Sequence, residues 1–443
     1  LLGGYVLIYH TQLLVLFLAF ATPLSFNFEN LGAFGGVGFY FPTEPILFGL
    51  MCLYFIKVLS GYKERKELIK HPLTIAILLN ILWISVTVLS SVDVVVSLNF
   101  LASRLWFVLV MYFMFNQYFA DRGLIKRFFI FFIFSMMITI IYTVITHASN
   151  GFSEEAGHWV MYPFFKDHTS YGAIIALIFP MVVFHMHQAK KLSFEQLIWI
   201  LVLSVFAIGL FLSYTRAAWV SLVGALGVYF LIKLRIDYKL VVLAIALLTG
   251  GFFAFQNEII HELERNRQDS SDSFAEHVQS ITNISSDASN LERLNRWNSA
   301  WKMFLDEPVF GHGPGTYMFE YAKYQKSSDK TIISTNQADG GNAHSEYLGP
   351  LSESGVLGML TIFIVFIVSI NTGIRLYYQM DHDPYLKGVV MCIVLGLVTY
   401  YLHGILNNFL DTDKASVPIW GSMSILVAIS IYHRKKLLES AAE

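Results

Sequence analysis

NAHSEYLGPLSESGVLGMLTIFIVFIVSI, residues 342–370, joins two kinds of sequence. Its second half is an apolar run without a charge, and a helix needs roughly 20 such residues to cross a bilayer core. Its first half carries His344, Ser345 and Glu346, and the polar-rich segment 257–350 leads into it. The stretch reads as the mouth of a membrane helix that bears polar side chains.

The rest of the chain supports a membrane reading. Of its 443 residues 55% are hydrophobic and 14% charged, whereas soluble domains are roughly 45–50% apolar and about 25% charged. A water-soluble fold with this balance would expose too much apolar surface. A net charge of -2 points to no nucleic-acid partner. Cys52 and Cys392 both fall in apolar runs, so neither a disulfide framework nor a cysteine metal site is expected. The chain opens with Leu1 and not Met, which leaves room for a short preceding piece. The first apolar stretch reads as a span and not a cleaved signal, because many others follow.

Apolar length places twelve spans at 8–26, 39–59, 73–91, 98–119, 128–146, 169–186, 196–212, 217–233, 240–256, 353–373, 388–407 and 418–432. The expected fold is an all-α polytopic membrane protein. It divides into residues 1–256 with nine spans, an external loop subdomain at 257–352, and residues 353–443 with three spans and a short tail. One set of loops holds Lys63, Arg65, Lys66, Lys70, Arg122, Lys126, Arg127, Lys190, Lys191, Lys233, Arg235, Lys239, Arg375 and Lys387, with Arg434, Lys435 and Lys436 in the tail. The other short loops hold only Lys166, Arg216 and Lys414. By the positive-inside bias both termini are cytoplasmic, and 257–350 lies outside, in the periplasm of a Gram-negative cell.

Within the external loop, Ser289-x-x-Glu292 is a capping-box signature that opens an amphipathic helix near 290–306. Leu291, Leu294, Trp297, Trp301, Phe304 and Leu305 share one face, suited to the membrane interface or to the bundle. Arg293 falls at the edge of that face and Arg296 further round, toward solvent. Both also read as ordinary charges on a solvated helix.

Arg216 sits between two spans with hardly any loop. It reads either as a snorkelling arginine or as a fixed guanidinium suited to gripping a phosphate bidentately. His344 reads either as a hydrogen-bonded interface histidine or as a proton acceptor, with Ser345 and Glu346 beside it. His168, at another outer span entry, has the same two readings. Asp411-x-Asp413 has the spacing of a metal-holding pair, but no second acidic cluster accompanies it, so an ion pair with one of the arginines is the better expectation. GHGPG, residues 311–315, reads as a turn, because no Lys-Ser or Lys-Thr follows it.

These motifs, in this order, resemble the O-antigen ligase and O-antigen polymerase superfamily. The ligase pattern is His, then Asn, Ser or Gln, nine residues, then Gly-x-x-Gly; His344, Ser345, residues 346–354, Gly355 and Gly358 match it. Met359 stands where Thr or Val often follows. An Arg followed four positions on by Leu or Trp matches as Arg293 and Trp297, and the S-x-x-R run matches as Ser213 and Arg216. DEPVFGHGPGTY, residues 306–317, is similar to the sequence that follows the loop helix in the family. The specific likeness covers 160–420, with the twelve-span topology around it.

The resemblance implies a fold similar to C-type membrane glycosyltransferases, lipid-linked sugar substrates and no metal or other cofactor. It implies His344, Arg216 and Arg293 as catalytic residues, with Arg216, Arg293, Arg296, Ser345 and Asp413 as substrate-binding candidates. The expected donor is a glycan on undecaprenyl diphosphate, and the expected acceptor a lipid A–core sugar. Rival readings are a polymerase with a second lipid-linked acceptor, a protein O-oligosaccharyltransferase, and, in a different class, a transporter. Against a transporter stand the large external loop and the lack of an evident inverted repeat.

The charge bias makes a direct prediction. A cysteine placed at Lys330 should react with an impermeant thiol reagent added to intact cells, and one placed at Arg65 should not. The opposite labelling pattern would reverse the orientation.

Overall fold

The computed structural model of the chain describes residues 11–27, 40–237, 239, 288–325 and 341–433. The principal helices are α1 (Thr11–Leu24), α2 (Thr43–Leu59), α3 (Pro72–Leu89), α4 (Val94–Phe107), α5 (Arg122–Ser149), α6 (His168–Gln188), α7 (Phe194–Phe211), α8 (Arg216–Lys233), α9 (Ala288–Asp306), α10 (Leu348–Gln379), α11 (Pro384–His403) and α12 (Asp413–Ala428). α4 runs on as a π-helical stretch, Val108–Met114. Two short strands, β1 (Phe26–Asn27) and β2 (Tyr40–Phe41), pair antiparallel.

Among the described residues, eight helices are long and apolar enough to cross a membrane, and Thr11–Leu24 and Pro72–Val88 are apolar but shorter. The protein is an all-α polytopic membrane protein. Each expected span outside 240–256 coincides with a helix. The span at 240–256, the loop segments 257–287 and 326–340, and the tail arginine and lysines lie outside the described residues.

Helix ends that meet the loops are capped by side chains. Asp93 accepts the N–H groups of Val95 and Val96, Asp167 that of Ser170, Ser193 that of Gln196, and Asp383 those of Tyr385 and Leu386. Such caps satisfy donors that the helix itself cannot. The loops assigned to the basic side gather at one end. Arg122 pairs with Asp383 at 3.2 Å, Arg65 lies over the Tyr432 ring and Arg235 over that of Tyr378. α6 packs on α11, α1 on α5, and α10 on both α3 and α11. α12 is buried almost throughout, whereas α7 keeps most of its surface outward.

α10 is not one continuous helix. At Gly355 the backbone turns to φ 68°, ψ −170°, a conformation open essentially to glycine alone. A break leaves carbonyls without helical partners, and inside a membrane bundle each must be answered by protein. Here the 308–317 segment answers them. His312 N–H donates to Ser352 O at 3.1 Å and Gly313 N–H to Glu353 O at 2.8 Å. Trp83 Nε1 of α3 donates to Ser354 O at 2.8 Å. In return Val356 N–H reaches Pro308 O at 3.0 Å, and the Glu353 carboxylate accepts the N–H of Tyr317 at 3.0 Å. The two backbones are so close that a Cβ on Gly355 would lie 2.1 Å from Val309 O, and one on Gly311 2.3 Å from the Glu353 carbonyl carbon. The GHGPG sequence is a turn, as its composition indicates, and it also closes this seam.

α9 forms where the apolar period places a helix, but it starts at Ala288, ahead of the expected Ser289 cap, and Glu292 pairs with Arg296. Glu292, Asn295, Arg296, Ser299, Ala300 and Met303 are buried, while Leu294, Trp301 and Leu305 are 39%, 50% and 61% exposed. The polar side therefore packs inward, against α10 and the 317–325 segment, and much of the apolar face points out, as a helix lying on an interface would. Arg296, expected toward solvent, is 8% exposed. The helical wheel treats the side opposite the tryptophans as free, whereas residues 341–347 and Tyr317 and Tyr321 cover it.

Gly355→Ala should lower the stability of the purified protein by at least about 1–3 kcal/mol, from backbone strain alone. Gly227→Ala, at a helical glycine with nothing within 4 Å of a new Cβ, should leave it unchanged or slightly higher. Thermal unfolding of the two variants in detergent measures the difference.

Candidate functional site

One end of the bundle brings four segments together. The first is the start of α6, where Asp167 caps the helix through Ser170 N–H at 2.8 Å. The second is the tight α7–α8 connection, which hooks onto that start. His168 Nδ1 lies 2.9 Å from Ser213 O, so the ring donates there, and Thr215 Oγ1 donates to His168 O at 2.8 Å. Arg216 follows directly as the first residue of α8, with its side chain exposed. His158 stacks edge-on against His168 with ring centroids 4.3 Å apart.

The third segment is α9. Arg293, half-buried on this helix, lies within electrostatic reach of His344, His168 and His403. The fourth is the turn at 341–347. His344 holds φ 47° there, a left-handed backbone uncommon for a non-glycine residue. Three contacts fix it. Asn342 Oδ1 accepts the His344 N–H at 3.0 Å, Trp297 Nε1 reaches His344 O at 3.4 Å, and Ser345 Oγ accepts the N–H groups of Tyr347 and Leu348 at 3.3 Å. Ser345 thus caps the mouth of α10. Strain held by several contacts is common at functional sites.

Arg296 works on the same turn from behind. Its Nε pairs with Glu292 at 2.7 Å, its Nη1 donates to Asn342 O at 3.1 Å, and its guanidinium lies 5.1 Å from the Tyr321 ring centroid. These contacts make it a buried clamp on residues 341–342. Glu346 anchors the other side. Its N–H donates to Gly404 O at 2.8 Å, and its Oε1 accepts the N–H groups of Phe409 and Leu410, at 2.7 and 2.9 Å, and the hydroxyl of Tyr400.

Burial lowers the pKa of His344 to about 4, and the positive charges of Arg296 and Arg293 push the same way. Its imidazole is therefore neutral near pH 7 and free to accept a proton.

The Asp-x-Asp pair does not converge. Asp411 is an exposed loop residue, whereas Asp413 opens α12 fully buried. The partners of Asp413 are the hydroxyls of Ser25 and Thr43 and not an arginine. Lys414 beside it donates to Thr22 O and Ser25 O, both at 2.6 Å. Together they pin α12 to α1 and α2. The sequence reading assigned these charges to an outer loop, but the helix starts early enough to draw them into the bundle.

Arg104 is the residue the sequence reading passed over. It lies in α4 inside the expected span 98–119, and a lone arginine within an apolar run was the available signal.

Fold and site together define a polytopic helical membrane protein with a cationic, histidine-bearing site at one end of its bundle. The family model Wzy_C, O-Antigen ligase, matches residues 199–363, a segment similar to glycan-processing ligases and polymerases of that type. That stretch contains Arg216, Arg293, His344 and the Gly355 break, while Arg104, His168 and Asp413 fall outside it. No curated protein matches the chain.

In a 15N-histidine titration of the purified protein, with His344 assigned from its Gln variant, the His344 midpoint should fall near 4. Arg293→Ala removes a positive charge that disfavours the imidazolium, so the midpoint should rise toward the ordinary value of about 6.5.

Proposed function

We propose that the protein transfers a polysaccharide from undecaprenyl diphosphate to a sugar hydroxyl of a lipid A–core acceptor, at the periplasmic face of the bacterial inner membrane. The observation that carries this reading is His344, neutral at the mouth of a membrane helix and within electrostatic reach of Arg293. Both substrates are amphipathic, so their reacting ends meet at the membrane surface, and the base belongs there.

In this mechanism His344 takes the proton of the acceptor hydroxyl as general base. The acceptor oxygen bonds to the anomeric carbon while the bond from that carbon to the diphosphate oxygen breaks. The electron pair leaves with the diphosphate. Arg216 and Arg293 hold the diphosphate and stabilise the charge that develops on it, a fixed electrostatic contribution made where charge appears. Asp167 caps α6, and among the described residues no carboxylate is assigned as a nucleophile. A single displacement with inversion follows, since retention usually requires two carboxylates in these roles. The reaction needs no metal. Arg296 and Ser345 act by shaping the turn that carries His344, and residues 257–352 serve as the external subdomain that brings α9 over the site.

A polymerase would use the same donor and differ in its acceptor. The envelope glycan profile of a deletion strain separates the two: ligase loss leaves bare core and accumulates lipid-linked polymer, whereas polymerase loss leaves core with one repeat.

Purified protein assayed in EDTA with lipid-linked donor tests the roles. His344→Ala should retain donor binding and reduce transfer by about 10²–10⁴-fold. Arg216→Ala and Arg293→Ala should weaken donor binding and also slow turnover. Arg216→Lys should recover only part, because an ammonium lacks the bidentate fork. If His344→Ala abolishes binding while transfer per bound donor is unchanged, His344 is a diphosphate ligand and not the base. Activity that EDTA removes and magnesium restores would overturn the metal-free mechanism.

A further inference from the structure

Two residues that this mechanism leaves unused line one cavity inside the bundle. Arg104 of α4 is 8% exposed, and its Nη1 is buried without a hydrogen-bond partner. It lines a cavity of about 30 Å³ together with Asn80, Phe100, Glu346 and Glu353. A buried guanidinium edge without a hydrogen bond is costly, and a nearby carboxylate is the usual compensation. Glu346 is the other half. Its Oε1 carries two backbone N–H groups and the Tyr400 hydroxyl, and its own N–H is bound to Gly404 O, so this one residue joins the His344 turn to the segment after α11.

We propose that Arg104 and Glu346 are a positioning pair: Arg104 supplies the counter-charge of the Glu346 carboxylate, and Glu346 thereby holds His344 in place at the helix mouth. The charged and titratable groups facing Glu346 are Arg104 from α4, Tyr400 from α11, Asp411 from the loop before α12, and Tyr347 and Glu353 from its own stretch. Among these only Arg104 is positive. Burial raises the pKa of the Glu346 carboxyl, Asp411 adds to that rise, and Arg104 opposes it. A carboxylate accepts all three hydrogen bonds at one oxygen, whereas the protonated acid is a weaker acceptor and must place a proton of its own. Removing Arg104 therefore favours the acid and loosens the turn, and the effect sets in at a higher pH than in the parent protein.

The kinetic part of the test rests on the role given to His344 above; the spectroscopic part does not. The full chain in nanodiscs is compared with Arg104→Gln, Arg104→Lys, Glu346→Gln and the double variant Arg104→Gln/Glu346→Gln. In the Arg104→Gln minus parent difference spectrum at neutral pH an added infrared band of a protonated carboxyl should appear, and it should be absent from the difference between the double variant and Glu346→Gln. Transfer at neutral pH should fall by about 10²-fold, the scale of a small misplacement of a catalytic group. The acid limb of the pH–rate profile should move to higher pH, and Arg104→Lys should lie between. Loss of transfer with the band and the acid limb unmoved would show a merely structural arginine and overturn the pair. If Arg104→Gln does not accumulate, Arg104→Lys decides: its band midpoint must rise, and an unmoved midpoint sinks the proposal. If the parent protein transfers nothing, the functional reading fails, and the infrared band alone still answers for Arg104 and Glu346.

Discussion

The site depends on a backbone seam. A membrane helix that breaks must find new partners for the carbonyls it strands, because no water is at hand to take them. At Gly355 those partners come mostly from the 308–317 segment, which is the continuation of the amphipathic helix α9. The requirement that every polar backbone group be answered thus welds an amphipathic element to a membrane element. Once welded, Arg293 and Trp297 of α9 have a defined relation to the His344 turn that opens α10. The first glycine of the Gly-x-x-Gly motif has a sharp role: it is the residue type that tolerates the break.

Charge is handled in two ways at this end of the bundle. Around His344 burial is the main influence, with Arg293 and Arg296 adding to it, and the histidine stays neutral. Such a region suits an anion that arrives with the substrate. Elsewhere, charges are consumed by structure: Asp413 and Lys414 are spent on the hydroxyls and carbonyls of α1 and α2, and Arg296 on Glu292 and Asn342. Four residues drawn from the same sequence neighbourhoods, Arg293, Arg296, Asp411 and Asp413, therefore have different roles. What separates the members of each pair is which side of a helix another segment happens to cover.

Much of this protein was legible without coordinates. Apolar length marks the spans because a bilayer imposes a minimum helix length, and eleven of the expected spans coincide with helices among the described residues. The apolar period marked α9, and the order of Arg216, Arg293, His344 and the paired glycines carried the family resemblance. These are local properties: length, period, cap and motif are written within a few turns of chain.

The remainder was decided by contacts between segments far apart in sequence. The wheel of α9 suggested a solvated Arg296, and the structure reverses this, because residues 341–347 and the tyrosines at 317 and 321 lie over its polar side. The importance of Glu346 is invisible until residues 400–410 fold back onto it, and Arg104 is one charge in an apolar run until α4 is set beside α10. The sequence determined which residues lie in the membrane and which chemistry stands at its edge. Only the tertiary structure decided which charges are spent on holding helices together and which remain for a substrate, because that depends on which groups meet a buried partner first.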